Sequence, residues 1–72
     1  MKDVFIDHEP TELYKILKFE GIVPTGGAAK SVIAENMVKV NGEIETRKRR
    51  KMVSGDIIEF ENEKFRVVLQ AE

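Results

Sequence analysis

Residues 28–57 read AAKSVIAENMVKVNGEIETRKRRKMVSGDI, and the reading of this stretch decides the fold. Thr25-Gly26-Gly27 opens a helix that continues through Ala28, Ala29, Lys30, Val32 and Ile33, with Thr25 as an N-cap and small residues allowing close approach. Asn36 follows as a left-handed terminator. Val38 and Val40 then alternate with Met37 and Lys39 into Asn41-Gly42, a strong two-residue hairpin signal, so the spacing predicts a return strand from Glu43 to Thr46. A basic loop, Arg47 to Lys51, leads through Met52-Val53 to a turn at Ser54-Gly55-Asp56.

On the N-terminal side, Val4, Phe5 and Ile6 suit a short strand over Asp3 to Asp7 before the break at Glu9-Pro10. Thr11 is expected to cap a helix running to about Glu20, whose stripe Leu13, Ile16 and Leu17 faces a core and which Gly21 stops. Lys15 and Lys18 lie three apart and share a face beside that stripe. Ile22-Val23-Pro24 bridges to the second helix. On the C-terminal side two strands are expected, Ile57 to Phe60 and Phe65 to Leu69, joined by a turn at Glu61-Asn62-Glu63. Phe65, Val67 and Leu69 share one face of the second strand, and Phe60 and Phe65 are expected in the core.

Seventy-two residues make one domain at most, since a chain this short buries only about 60% of its unfolded surface. The composition, 42% hydrophobic and 35% charged, is that of a soluble globular protein. No apolar run approaches a membrane span and the N-terminus lacks a signal-like apolar core, so a cytoplasmic location is expected. Zero cysteines and one histidine exclude disulfides, thiolate sites and multi-histidine metal sites, and neither metal nor cofactor is expected. A monomer is expected.

The net charge of −1 is a sum of unlike parts. Between Lys15 and Lys51 stand nine cations and four acids, a net of +5, while the two ends together carry −6. The centre of this asymmetry is Arg47-Lys48-Arg49-Arg50-Lys51. Packed near Lys15, Lys18 and Lys30, the run would build a field that attracts polyanions, with arginines able to fork onto phosphate. The plainer reading is a solvated loop or a signal-like basic stretch. Thr25-Gly26-Gly27 offers open backbone N–H groups at a helix start, suited to a phosphate, but is more simply read as a cap and a tight turn.

Other chemistry is poorly supplied. No GxxxxGK[ST] pattern occurs, and His8, beside Glu9, reads as a surface residue. Asp3 with Asp7, or Glu59, Glu61 and Glu63, are acids alternating along strands, which usually make a solvated face. Tyr14 and the four phenylalanines are too scattered for a base-stacking platform. No set of residues supplies nucleophile, base and orienting group, so no enzymatic activity is expected.

Taken in order, Ala29-Lys30, Ile33, Val38, Val40, Asn41-Gly42 and Gly55-Asp56-Ile57 resemble the ribosomal-protein S-four-type RNA-binding domain, or alpha-L motif, in its small stand-alone bacterial form. The resemblance covers about residues 12–60. It implies an α+β fold with two N-terminal helices packed on a small, mostly antiparallel sheet. It also implies binding to structured RNA, as family members do in ribosomes, in tRNA synthetases and beside pseudouridine synthase domains. By position, the implied RNA surface comprises Lys15 and Lys18 on the first helix and Thr25 and Gly26 in the turn. It continues through Lys30 on the second helix and Arg47, Lys48, Arg49, Arg50 and Lys51 in the loop. Three positions depart from the family pattern. Glu12-Leu13-Tyr14 stands where Arg-Leu-Asp is common, Thr25-Gly26-Gly27 where the turn often reads Ser-Arg or Ser-Lys, and Asn36 where a glycine ends the helix.

The expected function is therefore recognition of structured RNA, ribosomal or tRNA-like, through phosphate and shape. Two other readings share the charge pattern: a module that docks an acidic ribosome-associated protein, and a small helix-turn-helix DNA binder. The acidic ends offer a second face for a protein partner.

Overall fold

A computed structural model describes residues 1–70. The order of elements is β1 (Lys2–Ile6), β2 (Thr11–Glu12), α1 (Leu13–Phe19), α2 (Gly26–Ala34), β3 (Val38–Val40), β4 (Glu43–Ile44), β5 (Lys51–Met52), β6 (Ile57–Phe60) and β7 (Glu63–Leu69). Five strands form one sheet in the order β1-β7-β6-β3-β4, while β2 and β5 pair as a separate antiparallel ribbon.

Alternation fixes the inner face of the larger sheet. Val4 and Ile6, Val38 and Val40, Ile58 and Phe60, and Phe65 and Val67 are all buried, and they join Leu13, Ile16, Leu17, Ala29 and Ile33 of the helices in one cluster. Met52 of β5 and Val23 of the bridging segment complete it. The outer face is mixed: Lys39 lies opposite Glu59 and Glu59 opposite Lys64, and Arg66 bonds Asp3 at 3.1 Å, while Phe5 opposite Val68, Ile57 opposite Arg66 and Ile44 opposite Lys39 add apolar surface to it. Leu69, the last residue of β7, is 37% exposed and lies outside the core cluster, although Ile6 opposite it is buried.

Both helices stop by the same device. The N–H of Ile22 reaches the Leu17 carbonyl and that of Gly21 the Lys18 carbonyl, with Gly21 at φ 70°. The N–H of Met37 reaches Val32 and that of Asn36 reaches Ile33, with Asn36 at φ 63°. Asparagine thus does at the second terminus what glycine does at the first. Asn41 and Gly42, both at positive φ, turn β3 into β4. Asn41 also donates to Asp56 Oδ1 at 3.1 Å and accepts from Ile57 N, while Asp56 Oδ2 accepts from Val53 N. The Asn41-Gly42 and Gly55-Asp56 pairs of the sequence pattern therefore hold each other, and their role in this chain is structural.

Several expectations need correction. Strands precede the helices, so the helices are not N-terminal, and the sheet is mixed because β1 runs parallel to β7 along its free edge. The short first strand is legible from its apolar residues; its partner, more than sixty positions away, is not. Thr11 does not cap α1. It is paired with Met52 in the ribbon, and its hydroxyl donates to the His8 carbonyl at 2.7 Å. Glu12 holds the N-cap position without a side-chain bond. The return strand is shorter than expected, because after Ile44 the chain turns the Glu45 side chain inward. Lys51 belongs to β5, so the basic segment ends on a strand.

Candidate nucleic-acid interface

The basic segment is tied to the start of α1 through its backbone. The first N–H groups of a helix lack partners within it. Here Leu13 N donates to the Arg50 carbonyl at 2.9 Å and Tyr14 N to the Lys48 carbonyl at 3.1 Å. The loop consequently acts as the N-cap that Glu12 does not provide.

Charge is arranged around two acids: Glu45, which the sequence reading did not single out, and Glu12, which it noted only as a departure from the family pattern. Glu45 is buried and accepts from Arg47 N at 2.9 Å, Arg47 Nε at 3.0 Å, Arg47 Nη2 at 3.0 Å and Arg50 Nη1 at 2.8 Å. The Arg47 hydrogen bond, helped by Arg50 and opposed by burial, lowers the Glu45 carboxyl to about 2. The same contact raises Arg47. Glu12, half-buried, lies 3.1 Å from Lys15 Nζ and 3.9 Å from Arg49 Nη1, between the helix and the loop. Adjacent cations that would repel one another are thereby held together. A signal was present for each: an acid two residues ahead of the cationic run, and an acid in place of the usual arginine.

The ten expected site residues lie in four places: the 47–51 segment, α1, the turn before α2, and α2 itself. Arg47, Arg49, Arg50 and Lys51 line a shallow open concavity, with Lys48 exposed at the turn between them. Arg50 is the most covered of the five, its side chain 29% exposed against 72% for Arg47. Lys15 stands one turn into α1. Lys30 of α2 reaches across to the Tyr14 ring, its Nζ 4.7 Å from the centroid. Tyr14, at the family's acidic position, is thus a support for a lysine. At the other end of α1, Lys18 runs its stem beside Gly26, where an added Cβ would stand 3.6 Å from Lys18 Cδ. Its Nζ lies 5.2 Å from the Phe19 ring. Thr25 caps α2 by accepting from Ala28 N at 3.0 Å. These contacts, Tyr14 to Lys30 and Lys18 to Gly26, place the two helices side by side in opposite directions.

His8 is exposed and bonded to Asp7 at 2.6 Å. No helix among the described residues is long and apolar enough to cross a membrane, and no group of three or more His or acidic residues gathers among them to hold a metal.

A mixed five-stranded sheet, two antiparallel helices and a basic segment welded to the first helix define an alpha-L-type domain. The chain belongs to the S4 domain family, whose model matches residues 4–68. Over 61 residues it is 46% identical to "Putative RNA-binding protein YbcJ" of Escherichia coli strain K12, covering 85% of this chain and 87% of that one. Over 58 residues it is 38% identical to "Probable ribosome maturation protein RlbA" of Bacillus subtilis strain 168, covering 81% and 82%. The solution structure of Escherichia coli YbcJ, described as revealing an alpha-L motif involved in RNA-binding, superposes with a TM-score of 0.71 at 42% identity, covering 94% of this chain and 87% of that one.

Proposed function

We propose that this chain is a single, monomeric RNA-binding domain that recognises structured RNA, ribosomal in origin, by phosphate and shape rather than by base reading. The observation that carries the proposal is the cationic segment Arg47–Lys51 held against the first turn of α1, with Lys15 sharing Glu12 with Arg49, Lys30 on Tyr14, and Lys18 beside Gly26 of the turn that Thr25 caps. Family membership and the names of the relatives support it. A-form RNA keeps its base edges in a deep, narrow groove, so a small body with flexible cations and no stacking platform reads backbone. The role is binding rather than catalysis, in the cytoplasm, and the acid-rich ends of the chain are the surface offered to a protein neighbour.

The experiment is fluorescence anisotropy of a labelled RNA stem-loop across a salt series, with duplex DNA as competitor. Five or six phosphate contacts give a slope of log K against log[salt] of about −4 to −5. Replacing the outward-facing Lys48, Arg49 and Lys51 by alanine flattens it. An unchanged slope removes the loop from the interface, and preference for duplex DNA at matched salt rejects the RNA reading.

A further inference from the structure

Glu45 is an anion in the middle of a cationic surface, and 5% exposed. By charge alone it opposes the binding of any polyanion, so its presence calls for a compensating effect. Its four hydrogen bonds supply one. Oε2 takes the Arg47 amide and Nε, and Oε1 takes Arg47 Nη2 and Arg50 Nη1, which fixes the backbone at 47 and both guanidiniums together. The loop so fixed is the one whose Lys48 and Arg50 carbonyls receive the first amides of α1. Arg50 faces inward to this acid, whereas Arg47 stays mostly exposed and Lys48, Arg49 and Lys51 point to solvent.

We infer that Glu45 is a positioning residue for RNA, holding the basic loop in one shape so that its outer cations meet phosphates without first being ordered. The inference rests on the RNA-binding reading above and extends it. It also divides the loop by role: Arg50 is an internal strut, and Arg47, Lys48, Arg49 and Lys51 are the contacting set. Holding side chains and backbone before binding removes an entropy cost that each freely rotating side chain otherwise adds.

The test sets charge against geometry. Glu45→Gln keeps size and shape and adds one positive charge to the net. Electrostatics alone predicts tighter binding of the RNA stem-loop and a steeper salt slope. Positioning predicts the reverse, binding weaker by roughly fivefold to tenfold, equivalent to the ordering of one or two side chains, and a flatter slope. Amide hydrogen exchange provides a reading free of RNA: Leu13 and Tyr14 exchange faster in Glu45→Gln, while Ile58 and Val67 in the central strands are unchanged. Should the single variant fail to fold, Glu45→Gln with Arg50→Gln leaves no buried unpaired charge and, because it also removes a loop cation, is judged by the exchange at Leu13 and Tyr14 alone. Equal or tighter RNA binding by the variant at every salt overturns the inference, as does unchanged exchange at Leu13 and Tyr14. A wild-type chain indifferent to RNA overturns the RNA reading and this inference's binding half with it, while the exchange data separately decide whether Glu45 holds the loop.

Discussion

The Tyr14 amide donates to the Lys48 carbonyl at 3.1 Å, joining the first turn of α1 to the middle of the cationic run. A loop rich in like charges is expected to spread in solvent. This one is instead part of a helix cap, with Leu13 bound to Arg50 beside it, so its shape is linked to the stability of the core through Leu13.

The five cations divide by role. Replacing Lys48, Arg49 and Lys51 by alanine is expected to leave the thermal midpoint nearly unchanged, since exposed charges contribute little, and to reduce the salt slope by about 2 to 3. Arg50→Ala takes one partner from a buried carboxylate and is expected to lower unfolding free energy by about 1–2 kcal/mol, measured by urea titration. Equal stability of the two variants would contradict the division.

Acid sensitivity centres on Glu45. Its folded-state pKa lies near 2, below the ordinary 4.5, so the group adds stability above about pH 4.5, and that contribution is lost as pH falls from there towards 2. The loss from this one group reaches at most about 1.4 kcal/mol per pH unit. Thermal unfolding from pH 7 to 2 should show wild type and Glu45→Gln converging at the acid end. Parallel curves would remove the carboxylate as the cause.

Thr25 was open to two readings, cap or phosphate ligand, and its bond to Ala28 N favours the cap. Thr25→Ala is expected to cost about 1 kcal/mol of stability and Thr25→Ser almost nothing. Neither should change the affinity for RNA, since the salt slope is set by cations and not by a hydroxyl. An affinity that falls in Thr25→Ala but not in Thr25→Ser would place the hydroxyl at a phosphate instead.

The β6–β7 turn carries avoidable strain. Glu61 and Asn62 both have positive φ, 51° and 65°, and glutamate has no side-chain device for that conformation. Glu61→Asn with Asn62→Gly matches the turn's preference and should raise stability by about 0.5–1 kcal/mol in urea unfolding, with RNA binding unaffected. A destabilised double variant would show that the Glu61 side chain has a role beyond the turn.

The sequence by itself determined what neighbours in the chain decide. The stripe Leu13, Ile16 and Leu17, the cap at Thr25, the stops at Gly21 and Asn36, the turn at Asn41-Gly42 and the strand Ile57 to Phe60 are set by periodicity and by φ preference, and the structure has each of them. The cationic run and its company with Lys15 and Lys30 were legible as composition. Tertiary structure alone decided which strand β1 joins, that Thr11 pairs with Met52 instead of capping, and that Glu45 turns inward to hold Arg47 and Arg50. The physical reason is the same in all three cases. A hydrogen bond between distant segments, or a buried charge that needs its partner, depends on how the chain returns on itself, and no local pattern of residues records that path.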